Sequence, residues 1–348
     1  MKTLPPFAAL LLATVSLAAC ATSSAEPQPA PSAAANAAPA ADPAAEDARL
    51  NSFLDAAFDE QIATNPQFLT SLGSKQLYDR LNDYTDAYRE RQRALAERHL
   101  QQLRTQFDPA RLSPAGRLSY RLFETEVERD REAFRWRWHG FPASTNGSPM
   151  GTIPVFLINN HRVDNVQDAE AYVARLREVE RVMNEISANM RRQTELGIVP
   201  PRFNFQPVRE DGRRILAGAP FADGADTPLF ADFKTKVNAL QIPQAEKDRL
   251  IASAREALTG PFRRGYQTML STLDSIEARA TGNNGAWSLP EGQAFYAQRL
   301  RQSTTTDLSA AQIHQIGLDQ VQHPWRDGAD QAAGRLRRHA SGLLPAHQ

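Results

Sequence analysis

The stretch Tyr172-Val173-Ala174-Arg175-Leu176-Arg177-Glu178-Val179-Glu180-Arg181-Val182-Met183-Asn184-Glu185-Ile186-Ser187-Ala188-Asn189-Met190 decides the fold class. Tyr172, Val173, Leu176, Val179, Met183, Ile186 and Met190 recur at three- and four-residue steps, which gathers them on one side of a helix. Asn165 is placed to cap the start of that helix with Asp168 three residues later, and Pro200-Pro201 closes the region.

The same periodicity extends outward in both directions. Leu50, Phe53, Leu54, Ala57, Phe58 and Ile62 mark the buried side of a first helix, and Asp86 to Gln106 reads as a second. Ser113-Pro114 is a helix start, a side-chain cap followed by a proline whose missing N–H costs nothing there, and Tyr120, Phe123, Val127 and Phe134 trace its inner face. Leu250, Ile251, Ala254, Leu258, Phe262, Tyr266, Met269, Leu270, Leu273 and Ile276 form the longest stripe, with a kink expected at Pro261. Thr281 to Gly285 reads as a loop, Gly292 to Gln302 as a short helix, and Ser309 with Gln312 as a capping box before Ile313 and Ile316. Prolines and glycines interrupt the pattern between Gly140 and Val163 and from Phe203 to Phe233, so a loop crossing the domain and an irregular stretch are expected there. Glu210-Asp211-Gly212 reads as a solvated turn rather than a metal-loop fragment. No alternating run argues for a sheet, and the expected class is all-α.

Forty basic and forty acidic residues give a formal charge of zero, so nothing recommends nucleic acid or an acidic surface as partner. Arg135-Trp136-Arg137-Trp138 sets aromatics between cations; its expected role is the end of an amphipathic helix with snorkelling arginines.

The amino terminus reads as an export signal over residues 1–19. Met1-Lys2 is followed by an apolar run from Leu10 to Ala19 that is too short to span a bilayer. It ends in Leu17-Ala18-Ala19-Cys20, which resembles a bacterial lipoprotein cleavage site, and Cys20 is the expected lipidation residue. An exported protein meets disulfide-forming conditions, yet this cysteine is the only one in the chain, and acylation accounts for its solitude. Ala21 rather than aspartate follows it, which favours the outer membrane of a Gram-negative cell. Residues 20–46 form a lipidated, Ala/Pro-rich tether with almost nothing bulky to bury, and residues 47–322 the helical domain.

A search for catalytic chemistry finds none. The histidines are His99, His139, His161, His314, His323, His339 and His347, and none begins a His-Glu-x-x-His helix. There is no Gly-x-Ser-x-Gly elbow, phosphate loop or dinucleotide fingerprint. Glu97 and His99 are close in sequence but project about 200° apart on a helix. His161, in an Asn-Asn-His segment, is the candidate isolated polar contact, with a structural hydrogen bond as its expected role. No catalytic, cofactor-binding or metal-ligating residue is assigned.

Gly197-Ile198-Val199-Pro200-Pro201-Arg202, and above all the segment from Leu289-Pro290-Glu291-Gly292 through Thr304-Thr305-Thr306-Asp307-Leu308 to Ile313-His314-Gln315-Ile316-Gly317-Leu318, resemble the bacterial domain-of-unknown-function 885 family. The resemblance runs from about Leu50 to Val321. It implies the amino-terminal half of a helical zinc-metallopeptidase-like fold. In members of that family the motif HExxPGH lies downstream of the Ile-His-x-x-Gly-Leu segment. Two histidines and a further glutamate would hold zinc there, and the motif glutamate would activate water. None of those positions falls within this chain, and His314 is not assigned as a ligand. An intact member is thus expected to use zinc on a peptide substrate, and this chain to have no cofactor.

From His323 to Gln348 the composition changes: there is no Ile, Val, Phe, Tyr, Met, Lys or Glu, and three of the seven histidines fall there. A frameshift near Gln322 is the expectation for this segment, with a native tail as the alternative. The functional expectation is a membrane-anchored envelope lipoprotein, a truncated and inactive relative of a zinc-dependent peptidase. The alternatives are a non-catalytic peptide- or envelope-binding scaffold and a decaying gene.

Overall fold

In the computed structural model, which describes residues 42–283 and 285–321, the chain runs through α1 (Pro43–Ile62), α2 (Pro66–Ser71), α3 (Asp86–Gln106), α4 (Pro114–Phe134), α5 (Pro149–Asn160), α6 (Val166–Glu195), α7 (Phe205–Ile215), α8 (Pro228–Ala239), α9 (Gln244–Ala257), α10 (Arg263–Glu277) and α11 (Gly292–Thr304). Residues 310–321 are also helical, and there is no strand among the described residues. Cys20, the signal, most of the tether and the segment from His323 onward lie outside them.

Local chemistry sets the helix starts. Thr85, Ser113 and Asn165 each accept a hydrogen bond from the backbone N–H three residues on, at 3.1, 3.1 and 2.9 Å. One such cap stabilises a helix by about 1 kcal/mol. Proline occupies the first turn of α1, α2, α4, α5 and α8, where no intrahelical N–H is needed. The α1 helix begins at Pro43, inside the stretch read as tether.

The 30-residue α6 is the axis of the larger core. Tyr172, Leu176, Val179, Val182 and Met183 have no exposed surface, and α5, α7, α8, α9 and α10 supply the residues packed around them. Burying a side chain of this size contributes about 1.5–3 kcal/mol relative to leaving it in water. Helix α10 approaches closely at Gly265, where a Cβ would lie 2.9 Å from the Glu180 Cα. A second, smaller core joins α1, α3 and α4 through Leu50, Leu100, Leu103, Phe107, Tyr120 and Val127.

The kink expected at Pro261 is present: a π-helical turn at Leu258–Phe262 separates α9 from α10, and Gly260 leaves helical geometry at φ −96°, ψ −106°. Three expectations need correction. The segment 140–163 is not all loop, since Ser148 and Pro149 start α5, and Pro154 sits inside that helix. The segment 203–233 holds α7 and the start of α8, and Glu210-Asp211-Gly212 is helical rather than a turn. Gly212 is a packing glycine there, because a Cβ would lie 2.6 Å from the Met150 sulfur and that side chain would have to shift. Phe58 is not buried by the first helix but 49% exposed, edge-on to Phe68.

Candidate functional site

The polar groups inside this fold divide into a sealed cluster and an open cleft. The sealed cluster ties the end of α5 to α6. His161 and Arg175 are both fully buried. Nε2 of His161 lies 2.9 Å from the Asp168 carbonyl oxygen, and its Nδ1 lies 2.9 Å from Nη1 of Arg175. A carbonyl only accepts and a guanidinium only donates, so the imidazole is neutral with its proton on Nε2. Burial lowers the His161 pKa to about 3, with the Arg175 charge adding to the effect. Arg175 also donates to the Arg80 carbonyl at 2.8 Å and to Thr70 Oγ1 at 2.7 Å. Nearby, hydrogen bonds to Asp164 and Asp168 push Lys75 up to about 12. Every ring nitrogen of His161 is thereby committed to holding the fold, as the sequence reading expects of it.

Two of the other described histidines make polar contacts within the fold. Nε2 of His99 lies 2.7 Å from Glu60, while Glu97 on the other side of α3 pairs with Arg93 and Arg131. Nε2 of His139 donates to the Pro290 carbonyl at 2.9 Å, and His314 is exposed on the last helix.

The open cleft follows α3. A cavity of about 670 Å³ lies among α1, α2, α3 and α4, with Leu54, Phe58, Phe68 and Phe123 among its walls. Beside it is a cavity of about 370 Å³ that shares Tyr88, Gln92, Val127 and Asp130 with it. A third, of about 330 Å³, is walled by Phe141, Pro142, Pro149 and Ile186 and shares Arg89 and Arg137 with the second.

At that shared wall cations and rings alternate. The Arg93 Cζ stands 4.7 Å from the Phe134 ring centre, and the Arg137 Cζ stands 4.4 Å from Phe134 and 5.6 Å from Trp138. The Arg89 Cζ follows at 5.5 Å from Trp138. Cation–π contacts of this kind contribute about 0.5–2 kcal/mol per pair. Arg137 is held by Asp86 at 2.8 Å, and Arg93 by Glu97 at 3.3 Å. Arg89 differs: among the described residues it makes no side-chain hydrogen bond or ion pair, and Asp86, whose charge it feels, is taken by Arg137. Desolvation lowers its pKa. Across the second cavity, desolvation raises the pKa of Asp130, which likewise has no hydrogen-bonded partner among the described residues.

Arg135-Trp136-Arg137-Trp138 thus corrects one expectation. It is a turn beyond the end of α4 rather than the helix end itself, and Trp136 is buried against Phe295. The sequence run announces the two tryptophans, but Arg89 and Arg93 come from α3 and only the fold brings them alongside.

The zinc site implied by the family resemblance finds no fitting donor set here. Among the described residues no group of three or more His, Cys, Asp or Glu is placed to hold a metal ion.

The model of a family described as "Bacterial protein of unknown function (DUF885)" matches residues 66–336. The chain belongs to that family. The DUF885 match starts beyond α1 rather than near Leu50, and takes in α3, α4 and the whole alternating wall. No curated protein matches the chain. Among solved structures, the fold is similar to that of a protein from Colwellia psychrerythraea described as a lipoprotein, with a TM-score of 0.68 and 16% identity. That match covers 80% of this chain and 49% of the other, so this chain spans about half the length of its structural relative.

Proposed function

We propose that this DUF885 member is a lipoprotein of the bacterial envelope, cut before Cys20 and held by acyl chains on that residue, whose helical domain binds peptides without cleaving them. The anchor reading is supported by Leu17-Ala18-Ala19-Cys20 behind an apolar run and by the absence of a second cysteine. A shared fold with a protein described as a lipoprotein agrees with it. No described helix is long and apolar enough to cross a membrane. With Ala21 after the cysteine, the domain faces the periplasm from the outer membrane.

The observation that carries the peptide reading is Arg89 and Asp130 in the wall of one cavity, a cation and a carboxyl without partners among the described residues, set between apolar surfaces. A short peptide carries both charges and apolar side chains. The resemblance to zinc-dependent peptidases makes peptides the natural ligand class, and binding rather than hydrolysis is the part we assign to this domain.

Equilibrium dialysis of the full chain against a mixture of defined di- and tripeptides, read by mass spectrometry, tests this. Peptides should be retained and recovered intact. Failure to retain any, or chelator-sensitive cleavage, would contradict the proposal.

A further inference from the structure

We propose that the cleft reads the terminal carboxylate of its peptide through Arg89, which stands in the wall between the 370 and 330 Å³ cavities, with apolar side chains of the ligand lodged on either side. The inference rests on the peptide-binding reading above and names what end of the peptide is recognised.

Three features support it. The first is geometry: the Arg89 Cζ stands 5.5 Å from the Trp138 ring centre, and with no side-chain hydrogen bond or ion pair among the described residues its N–H groups are free to grip a carboxylate with two parallel hydrogen bonds. Arg93 and Arg137, on the neighbouring rungs, already spend their N–H groups on Glu97 and Asp86. The second is charge. Arg93, Arg131 and Arg137 pair with Glu97, Asp86 and Glu90 at this wall, so Arg89 and Asp130 are the cation and the carboxyl left without partners among the described residues, which suits the two ends of a zwitterion better than a phosphate dianion. Asp130 remains for the ammonium end of a short ligand. The third is desolvation: a half-buried guanidinium without a partner is costly, and an arriving carboxylate removes that cost. The two cavities are in the lower part of the size range of small-molecule sites, roughly 300–1,000 Å³, and Phe141, Pro142 and Ile186 in one and Val127, Ala133 and Phe134 in the other give apolar walls.

The test is calorimetric titration of the full chain with the dipeptide Ala-Phe, with its carboxyl-terminal amide, and with inorganic phosphate as competitor. The acid should bind at least about tenfold more tightly than the amide, as the loss of a charge-assisted hydrogen-bond pair requires. Arg89→Gln should abolish that difference and Arg89→Lys keep part of it, and phosphate should not displace the peptide. Arg89→Gln should still fold and melt only slightly below the unaltered chain, because the Arg89 side chain makes no hydrogen bond or ion pair within the described protein and gives up only its contact with Trp138. Equal binding of acid and amide overturns the role of Arg89 and leaves the peptide-binding reading standing. Displacement by phosphate shows a general anion site and also overturns the inference. If neither peptide binds, both readings fall.

Discussion

The hydroxyl of Tyr266 donates to the carbonyl oxygen of Met150. In an uninterrupted helix that carbonyl would accept the N–H of residue 154, but Pro154 has none. The fully buried Tyr266, reaching across from α10, supplies the missing donor, so α5 survives an internal proline. Tyr266→Phe should destabilise the protein by about 1–3 kcal/mol, the range for leaving a buried acceptor unsatisfied. In a Pro154→Ala background the loss should be smaller, because the alanine N–H can serve Met150. Urea unfolding of the four proteins measures the coupling, and equal losses in both backgrounds would contradict it.

His161 gives a pH dependence of known sign. Its folded-state pKa of about 3 lies below the ordinary 6.5, so between those values the unfolded chain takes up a proton that the folded chain refuses. Stability should therefore fall as the pH drops from about 6.5 towards 3, by up to about 1.4 kcal/mol per pH unit from this group, and be insensitive to it above that window. His161→Gln keeps an acceptor for Arg175 and a donor for the Asp168 carbonyl, and should flatten this slope. Urea midpoints between pH 7 and pH 5 that run parallel for the two proteins would refute the assignment.

Two glycines in helices should respond in opposite directions. Gly265→Ala puts a methyl group 2.9 Å from the Glu180 Cα and should cost about 1–3 kcal/mol by forcing α6 and α10 apart. Gly151→Ala in α5 meets nothing within 4 Å and should raise stability by about 0.5 kcal/mol, through lower chain entropy in the unfolded state. Thermal melts of the two variants decide both.

The anchor has its own test. Cys20→Ala should move the protein from the membrane fraction to the soluble envelope fraction and abolish incorporation of labelled palmitate. Retention of the variant on membranes would point to a different attachment.

Much of the helical frame was legible because its signals are local. The predicted helix from Asp86 to Gln106 matches α3 at both ends, and Asn165 caps α6 as its spacing implies. The misread segments share one physical cause, the dual use of proline and glycine. Pro149 starts α5 instead of breaking it, Pro154 is rescued by Tyr266 from a distant helix, and Gly212 marks close packing against Met150. The cleft was less legible for the same reason of distance. Trp138 and Arg137 are adjacent in sequence, but whether Arg89 has a partner depends on which helices meet around it.

A domain that binds its ligand without a catalytic metal should carry no zinc of its own. Elemental analysis of the full chain, expressed with zinc in the medium and dialysed without chelator, puts that to the test. Far less than one zinc per polypeptide is the expected result; one tightly held zinc per molecule would contradict the proposed function.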